Sequence, residues 1–410
     1  MPSLNLNFGR RSGADVVGLD IQPGLVAAVQ ARVNGSVLAE RAAAAALPAD
    51  TVRDGEVTDV SALSDALREL FANSGLGKRV RVGVANQRTV LRTLELPPVT
   101  DRKELATAVG FVAQDQVPMP LSNAVMDFHA LGVIDTPAGP RQRVVLVAAQ
   151  RDMVERLLAA VRGAGLRPEG IDLSAFAMIR SLYTPEAEGS GRVLYLNVDG
   201  LTNLAIAEGV VCRFTRVVGS GLEGMASEIA ERRGIAITQA RELLAAVDLT
   251  VSEEAAPEHE PGAEQAVLEA EPGGGEQVEG EPVESDEEYE SRELEMSYEE
   301  LTALPEAPEG ALAPDPDVRS VLERGIHDIA GEVRNSLDFH SSQEGGGQVS
   351  RILLSGSALD IPGFTETLQG HLQVDVQAQT VGLADESLAG KVSTHRLAIA
   401  AGLATSEVEQ

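Results

Sequence analysis

Apolar positions along the chain recur with two periods, one of strands and one of helices. Residues 15–29 and 31–39 read as the arms of a hairpin folded about Asn34-Gly35, a dipeptide that tolerates the positive φ of a tight turn. Leu63, Leu67 and Leu70 stand at helical spacing and predict a helix over 60–71, followed by a β-rich run at 79–84. Residues 90–96 alternate as a strand and stop at Pro97-Pro98. Thr100-Asp101, with Glu104 behind it, predicts a capped helix start. Two further strands at 125–133 and 143–149 precede a helix over 152–164, which Gly165 closes as a C-terminal cap.

A second series of the same kind follows. Residues 192–196, 204–207 and 210–217 predict three strands, with Glu208-Gly209 as a tight turn. Helices are expected at 222–233 and 238–247, and a long one at 318–339. A short buried strand at 351–354 and helices at 361–368 and 395–403 complete the pattern. Each series begins strand, turn, strand, turn, strand, so the fold class is α/β and the body reads as a duplication.

Composition breaks this regularity at one place. Residues 251–316 hold 22 acidic side chains against the single Arg292, with eight prolines and the run Gly273-Gly274-Gly275. They contain too little apolar surface to offset the entropy of ordering and are expected to be a disordered acidic insertion. The insertion carries −21 of the formal charge of −30, which leaves −9 for the other 344 of 410 residues. An acidic chain lacks the basic face with which general nucleic-acid binders displace counterions, so no nucleic-acid partner is expected.

Metal and disulfide chemistry find little support. Cys212 is the one cysteine, which excludes an intramolecular disulfide or a cysteine-rich zinc site, and its apolar strand makes it a small buried hydrophobe. The six histidines form no HExxH pair. His327 and His340 stand thirteen residues apart on one helix, too far to share a metal, and surface positions are expected for both. Ser355 precedes Gly356 without a nucleophile-elbow pattern around it. The apolar stretches fall short of the roughly 20 residues a bilayer helix needs, and the first residues lack a signal-peptide core, so a cytoplasmic location is expected.

The order of these motifs resembles the type IV pilus assembly protein M family of the actin-like ATPase superfamily. Val17-Gly18-Leu19-Asp20-Ile21 is similar to the first phosphate-hairpin motif. Leu96-Pro97-Pro98-Val99, Lys103-Glu104-Leu105 and Val117-Pro118-Met119-Pro120-Leu121 resemble the family's small inserted domain, as do residues 144–149 leading into 152–158 and Ala164-Gly165-Leu166. Thr202-Asn203-Leu204 through Arg213-Phe214-Thr215-Arg216 resembles the second hairpin. Residues 332–339 and Leu353-Leu354-Ser355-Gly356 resemble the approach to the adenosine motif. The likeness runs from 15 to 404, apart from the acidic insertion.

The resemblance implies an actin-like (ribonuclease H-like) two-domain fold with a small inserted α+β domain of SHS2 type. Its expected layout is a flexible tail at 1–13, a first subdomain at 14–87 and 169–188 joined by a C-terminal helix at 395–410, and the inserted subdomain at 88–168. A second domain at 189–250 and 317–394 surrounds the insertion at 251–316. The implied function is that of a cytoplasmic adaptor in the inner-membrane platform of a type IV pilus or related secretion system. Its implied partners are other platform proteins and a bitopic membrane protein, whose short apolar N-terminal peptide lies in a groove between the first and inserted domains. The peptide's seat is expected within 80–168, and membrane association is indirect. The alternatives are an ATP-binding switch and a divisome-like filament former. The acidic end of the chain, Thr405 to Gln410, does not resemble the amphipathic membrane helix of the latter. Leu4-Asn5-Leu6-Asn7-Phe8 is itself similar to the kind of apolar peptide the family receives.

A nucleotide site in this family consists of two hairpin turns that offer backbone N–H groups to phosphates, with glycines permitting close approach. The matching positions here are Asp20, Gly24, Asn197, Gly200, Thr202, Gly356 and Ser357, and ATP with magnesium is the cofactor such a site implies. The departures are pronounced. Gln22 replaces a glycine, Pro23 removes an N–H, and Ala27 stands where a phosphate-contacting lysine is common. Asn197 lacks the charge of a carboxylate that holds metal-bound water, while Asp199 puts a carboxylate where glycine would cradle phosphate. Ser357 replaces the second glycine of the adenosine motif, and Gly363 follows Pro362. The site is expected to be degenerate and without hydrolysis. Arg79, Arg81, Arg88 and Arg92 form a basic stretch that reads as a solvated face or the flank of a peptide groove.

Overall fold

The structure, a computed structural model, describes residues 16–184, 191–251, 316–343, 346–388 and 392–405. The expected tail at 1–13, and the acidic insertion apart from its flanking Val251 and Pro316, lie outside the described residues.

The first strand reading is corrected at once. Residues 15–29 do not form one strand but two, β1 (Val17–Gln22) and β2 (Leu25–Asn34), broken by Pro23-Gly24. Proline cannot donate to a ladder and Gly24 sits at φ 77°, so the chain reverses in two residues with Gln22 paired to Leu25. The Asn34-Gly35 turn then leads into β3 (Ser36–Ala46), with Gly35 at φ 73°. A small ladder of β4 (Val52–Arg53) and β5 (Glu56–Val57) precedes α1 (Val60–Ser74), whose first turn is capped by Asp59 accepting from the Ala62 N–H. β6 (Arg79–Val84) returns parallel to β1.

The next elements build a small sheet. They are β7 (Val90–Leu96), α2 (Arg102–Gln116), β8 (Ala124–Thr136) and β9 (Gly139–Gln150), with strand order β7-β9-β8. Leu105, Val109 and Ala113 of α2 pack on Leu94, Leu96, Val144 and Leu146. α3 (Arg151–Gly163) also lies inside the segment 88–168, yet its apolar face joins the core of α1 and the first large sheet, with only Val125 and Ala149 of the small sheet in that core and the Ser64 hydroxyl donating to the Ala160 carbonyl at 3.0 Å. β10 (Arg167–Leu173) and α4 (Ser174–Leu182) follow; the hydrophobic pattern alone revealed neither.

The second series runs β11 (Arg192–Val198), β12 (Thr202–Glu208), β13 (Val211–Val218), α5 (Leu222–Arg233), α6 (Ile237–Ala245) and α7 (Pro316–Ser342). It continues through β14 (Val349–Ser355), α8 (Phe364–Leu372), β15 (Val376–Ala378), β16 (Gly382–Leu383) and α9 (Ala398–Ala404). α8 begins three residues later than the pattern predicts, because Pro362-Gly363, with Gly363 at φ 80°, occupies the turn after a 3₁₀ segment at Ser357–Asp360.

The two large sheets have the same plan. One is ordered β10-β6-β1-β2-β3-β16 and the other β13-β12-β11-β14-β15; in each, a three-stranded antiparallel meander is extended by parallel strands. α1 and α3 cover one face of the first sheet, and α5 to α8 cover one face of the second. Between the sheets lie α4 and α9, which share a core with Ala27 and Val29 of one and Val193, Tyr195 and Leu353 of the other. The small residues of α9 allow this close layering: a Cβ on Gly402 would stand 1.8 Å from the Ala177 carbonyl oxygen. This is the two-domain, actin-like architecture with an inserted α+β domain.

Candidate functional site

Both hairpins project from their sheets toward each other. The first turns at Pro23-Gly24; the second turns at Asp199-Gly200-Leu201, between β11 and β12. They touch directly, since a Cβ on Gly200 would fall 2.1 Å from the Pro23 carbonyl oxygen. Gly356 approaches the same place from β14, where its Cβ would meet the Val198 carbonyl oxygen at 2.4 Å. Asp20, Gly24, Asn197, Gly200, Gly356 and Ser357 are thus gathered at one junction, and Thr202 stands at its edge with its hydroxyl on the Ser220 carbonyl at 2.6 Å.

Protein groups fill the space between the turns. The Gln22 side chain is buried and its Nε2 donates to Asp20 Oδ2 at 2.8 Å, with Asn197 Oδ1 at 3.5 Å. Its Oε1 lies 3.5 Å from the Leu201 N–H nitrogen. Asn197 in turn donates to the Ser355 hydroxyl at 3.2 Å. Asp199, 1% exposed, accepts from the Ser357 N–H at 2.6 Å and from the Ser357 hydroxyl. The Asp199 N–H itself goes to the Leu201 carbonyl at 3.0 Å.

Burial sets the protonation of both acids. Asp20 has its pKa raised to about 7, chiefly because burial disfavours the carboxylate, opposed by the Gln22 hydrogen bond and aided by the nearby Asp199 charge. Asp199 is also raised by burial, with the Ser357 hydrogen bonds and the Arg396 charge pulling the other way.

A second contact closes the tip of the first hairpin. Arg241 of α6 makes a two-pronged ion pair with Glu223 of α5, at 2.8 and 2.5 Å, and donates to the Leu47 carbonyl at 3.1 Å. Glu223 lies so near Gly24 that a Cβ there would meet its Oε2 at 2.3 Å.

This arrangement does not fit the phosphates of a nucleotide. The N–H groups of Asp199, Leu201 and Ser357 all face protein acceptors, and Pro23 has none to give. Ala27, cross-strand from Asp20, is buried in the core shared with α9, where a lysine would have no water. Among the described residues no cluster of three or more His, Cys, Asp or Glu side chains could hold a metal ion. In the sequence Gln22 stands as a lost glycine, with no sign that it is a bridge. Glu223, Arg241 and Leu47 carry no local mark in the sequence, since these partners stand far apart along the chain.

Other expectations are corrected or placed. His340 is buried rather than exposed, with Arg192 Nη1 at 2.8 Å from its Nε2 and its ring on Phe214; the apolar face of α7 carries it inward. His327 is exposed. Cys212 is buried and its thiol is pushed up to about 12 by that burial. The basic stretch is engaged within the chain. Arg79 pairs with Glu169 and Arg88 with Glu56; Arg81 donates to the Leu403 and Thr405 carbonyls at the end of α9, and Arg92 to the Leu91 carbonyl.

A recess of about 620 Å³ opens elsewhere, between the 84–89 connection, the start of α4 and the edge strand β13. Asn86, Thr89, Leu173, Ala175, Asn203 and Val217 are among its walls. The Thr89 hydroxyl and the Asn203 Nδ2 are buried without a hydrogen-bond partner. Leu173 also belongs to an apolar junction with Val145 and Val147 of the small sheet, against which Leu91, Leu131 and Phe176 pack half-buried.

A family model described as Type IV pilus assembly protein PilM matches residues 18–243. Among solved structures the chain is similar to a protein of the PilM-PilN type IV pilus biogenesis complex, at 20% identity and a TM-score of 0.68, with 95% of this chain and 97% of that one covered. It is also similar to the ethanolamine utilization protein EutJ from Carboxydothermus hydrogenoformans, at 13% identity and TM-score 0.46 over 95% of this chain and 89% of that one. MreB5 of Spiroplasma citri bound to ADP matches at 12% identity and TM-score 0.43, with 94% of each chain covered.

Proposed function

The chain belongs to the type IV pilus assembly protein PilM family, and from that premise we propose that it is a cytoplasmic adaptor of the inner-membrane assembly platform rather than an ATPase. Its partner in this reading is a bitopic membrane protein that presents a short apolar N-terminal peptide to the junction between the first lobe and the small inserted sheet. The observation that carries the proposal is a recess whose buried amide and hydroxyl groups lack partners and which adjoins, through its wall residue Leu173, the apolar junction of half-buried Leu91, Leu131 and Phe176. An extended peptide supplies what such a surface requires: apolar side chains for the walls and main-chain groups for the orphaned polar atoms. The likeness to a chain of the PilM-PilN complex supports the same reading. Among the described residues no helix is long and apolar enough to cross a membrane, so attachment would come through the partner.

The test is titration of the full chain with a synthetic apolar N-terminal peptide of a bitopic pilus protein. Saturable binding is expected at micromolar concentration, weakened at least tenfold by Phe176→Asp. Absence of binding at high micromolar peptide would overturn the adaptor reading.

A further inference from the structure

We infer that Gln22 and Asp199 act as built-in replacements for nucleotide phosphates, so that the two hairpins are held together by the chain's own side chains with no nucleotide required. The inference stands on the hairpin junction and is independent of the peptide site proposed above.

A phosphate group placed between two such turns does two things. It accepts from backbone N–H groups on both sides, and it brings negative charge that those dipoles stabilise. Here the two tasks are divided. The carboxamide of Gln22 offers an acceptor and two donors. It uses them to span the junction: Oε1 faces the Leu201 N–H of the second hairpin, while Nε2 reaches Asp20 on its own strand and Asn197 on the other. The acidic group in the phosphate's place is Asp199, whose carboxyl takes the N–H and hydroxyl of Ser357; burial raises its pKa, and the Ser357 hydrogen bonds and the Arg396 charge oppose that rise.

The neighbouring residues agree with this division. A neutral amide suits a pocket that already holds two buried acids, Asp20 and Asp199, whereas a phosphate would add charge to both. Asn197 in place of an acid provides the acceptor that the Gln22 Nε2 faces. Gly200 remains a glycine because Pro23 presses against it, a contact that leaves no gap between the turns. The Arg241–Glu223 pair, reaching the Leu47 carbonyl, holds the outside of the same hairpin.

The experiment compares the full chain with Gln22→Gly and with the double variant Gln22→Gly/Asp199→Gly, which restores both glycines. Calorimetry with ATP and magnesium should give no saturable heat for the unmodified chain at millimolar nucleotide, and affinity at least tenfold above that limit for the double variant. Hydrogen exchange without nucleotide should show residues 199–203 exchanging at least tenfold faster in Gln22→Gly, with residues 124–150 of the small sheet unchanged. The inference requires both results. Micromolar ATP binding by the unmodified chain overturns it, and so does unchanged exchange in Gln22→Gly. A folded double variant with no gain in affinity also overturns it; should that variant fail to fold, the single variant's exchange and the unmodified chain's calorimetry decide. Peptide binding measured on Gln22→Gly should match the unmodified chain, which keeps failure here separate from failure of the adaptor proposal.

Discussion

The two hairpins occupy equivalent places in two sheets of the same plan, and meet at their turns, yet the side chains of those turns engage different partners. The β1–β2 turn reaches outward: besides its bond to Asp20, Gln22 faces Asn197 and Leu201 of the other sheet, and Pro23 meets Gly200 there. The β11–β12 turn reaches sideways within its own lobe, where Asp199 binds Ser357 beside β14. Duplication fixes where a turn stands, while side chains decide whether it receives a ligand, a neighbour or the opposite lobe. In this chain both turns are satisfied internally, and the open recess lies elsewhere, beside β13.

The comparison can be broken most severely at Gly200. Gly200→Val places a Cβ 2.1 Å from the Pro23 carbonyl oxygen, backbone against backbone, and should cost about 3 kcal/mol or more in urea denaturation. Gly209→Ala, in the β12–β13 turn, meets nothing within 4 Å and should cost only about 1 kcal/mol, from its positive φ of 58°. Equal losses at the two positions would mean that the hairpins do not bear on each other.

Acidity sharpens the same contrast. Asp20, with its pKa raised to about 7, binds a proton in the native state that the unfolded chain has already released above the ordinary aspartate value of 3.8. Its contribution to stability therefore falls as pH rises from about 4 to 7, and Asp199 adds to the fall with the same sign. Urea midpoints should decline across this window, and Asp20→Asn should flatten the slope and raise stability at pH 8. A midpoint that rises with pH in both proteins would contradict the buried-acid account.

Smaller effects distinguish the sideways contact from the outward one. Ser357→Ala removes a hydroxyl donor from buried Asp199 and should cost about 2 kcal/mol, more at pH 8 than at pH 5. Arg241→Ala should cost about 1 kcal/mol by freeing the Leu47 carbonyl and Glu223, with faster hydrogen exchange at the tip of the first hairpin.

Much of the fold was legible because its signals are local. Leu63, Leu67 and Leu70 marked α1 by spacing alone, and Asp101 with Glu104 marked the start of α2. Asn34-Gly35 marked the β2–β3 turn for the same reason: its positive φ falls on Gly35 itself. β10 escaped because Arg167–Leu173 mixes charge, proline and glycine, and its strand character comes from pairing with β6. The site was half legible. Asp20, Asn197, Asp199 and Ser357 were found by motif order, but the use of Gln22 as a bridge was not, because its partner Asn197 lies 175 positions away.

The sequence by itself determined the repeated strand–turn pattern, the acidic stretch at 251–316 and the departures from a phosphate-binding motif, since each is written in adjacent residues. Only the tertiary structure decided what those departures do. A glutamine in place of glycine reads as a loss until β11 and β12 are brought against it; then its amide becomes a contact between lobes. Burial, which no single residue encodes, turned Asp20 into a group that titrates near neutrality and moved His340 from an expected surface into the core.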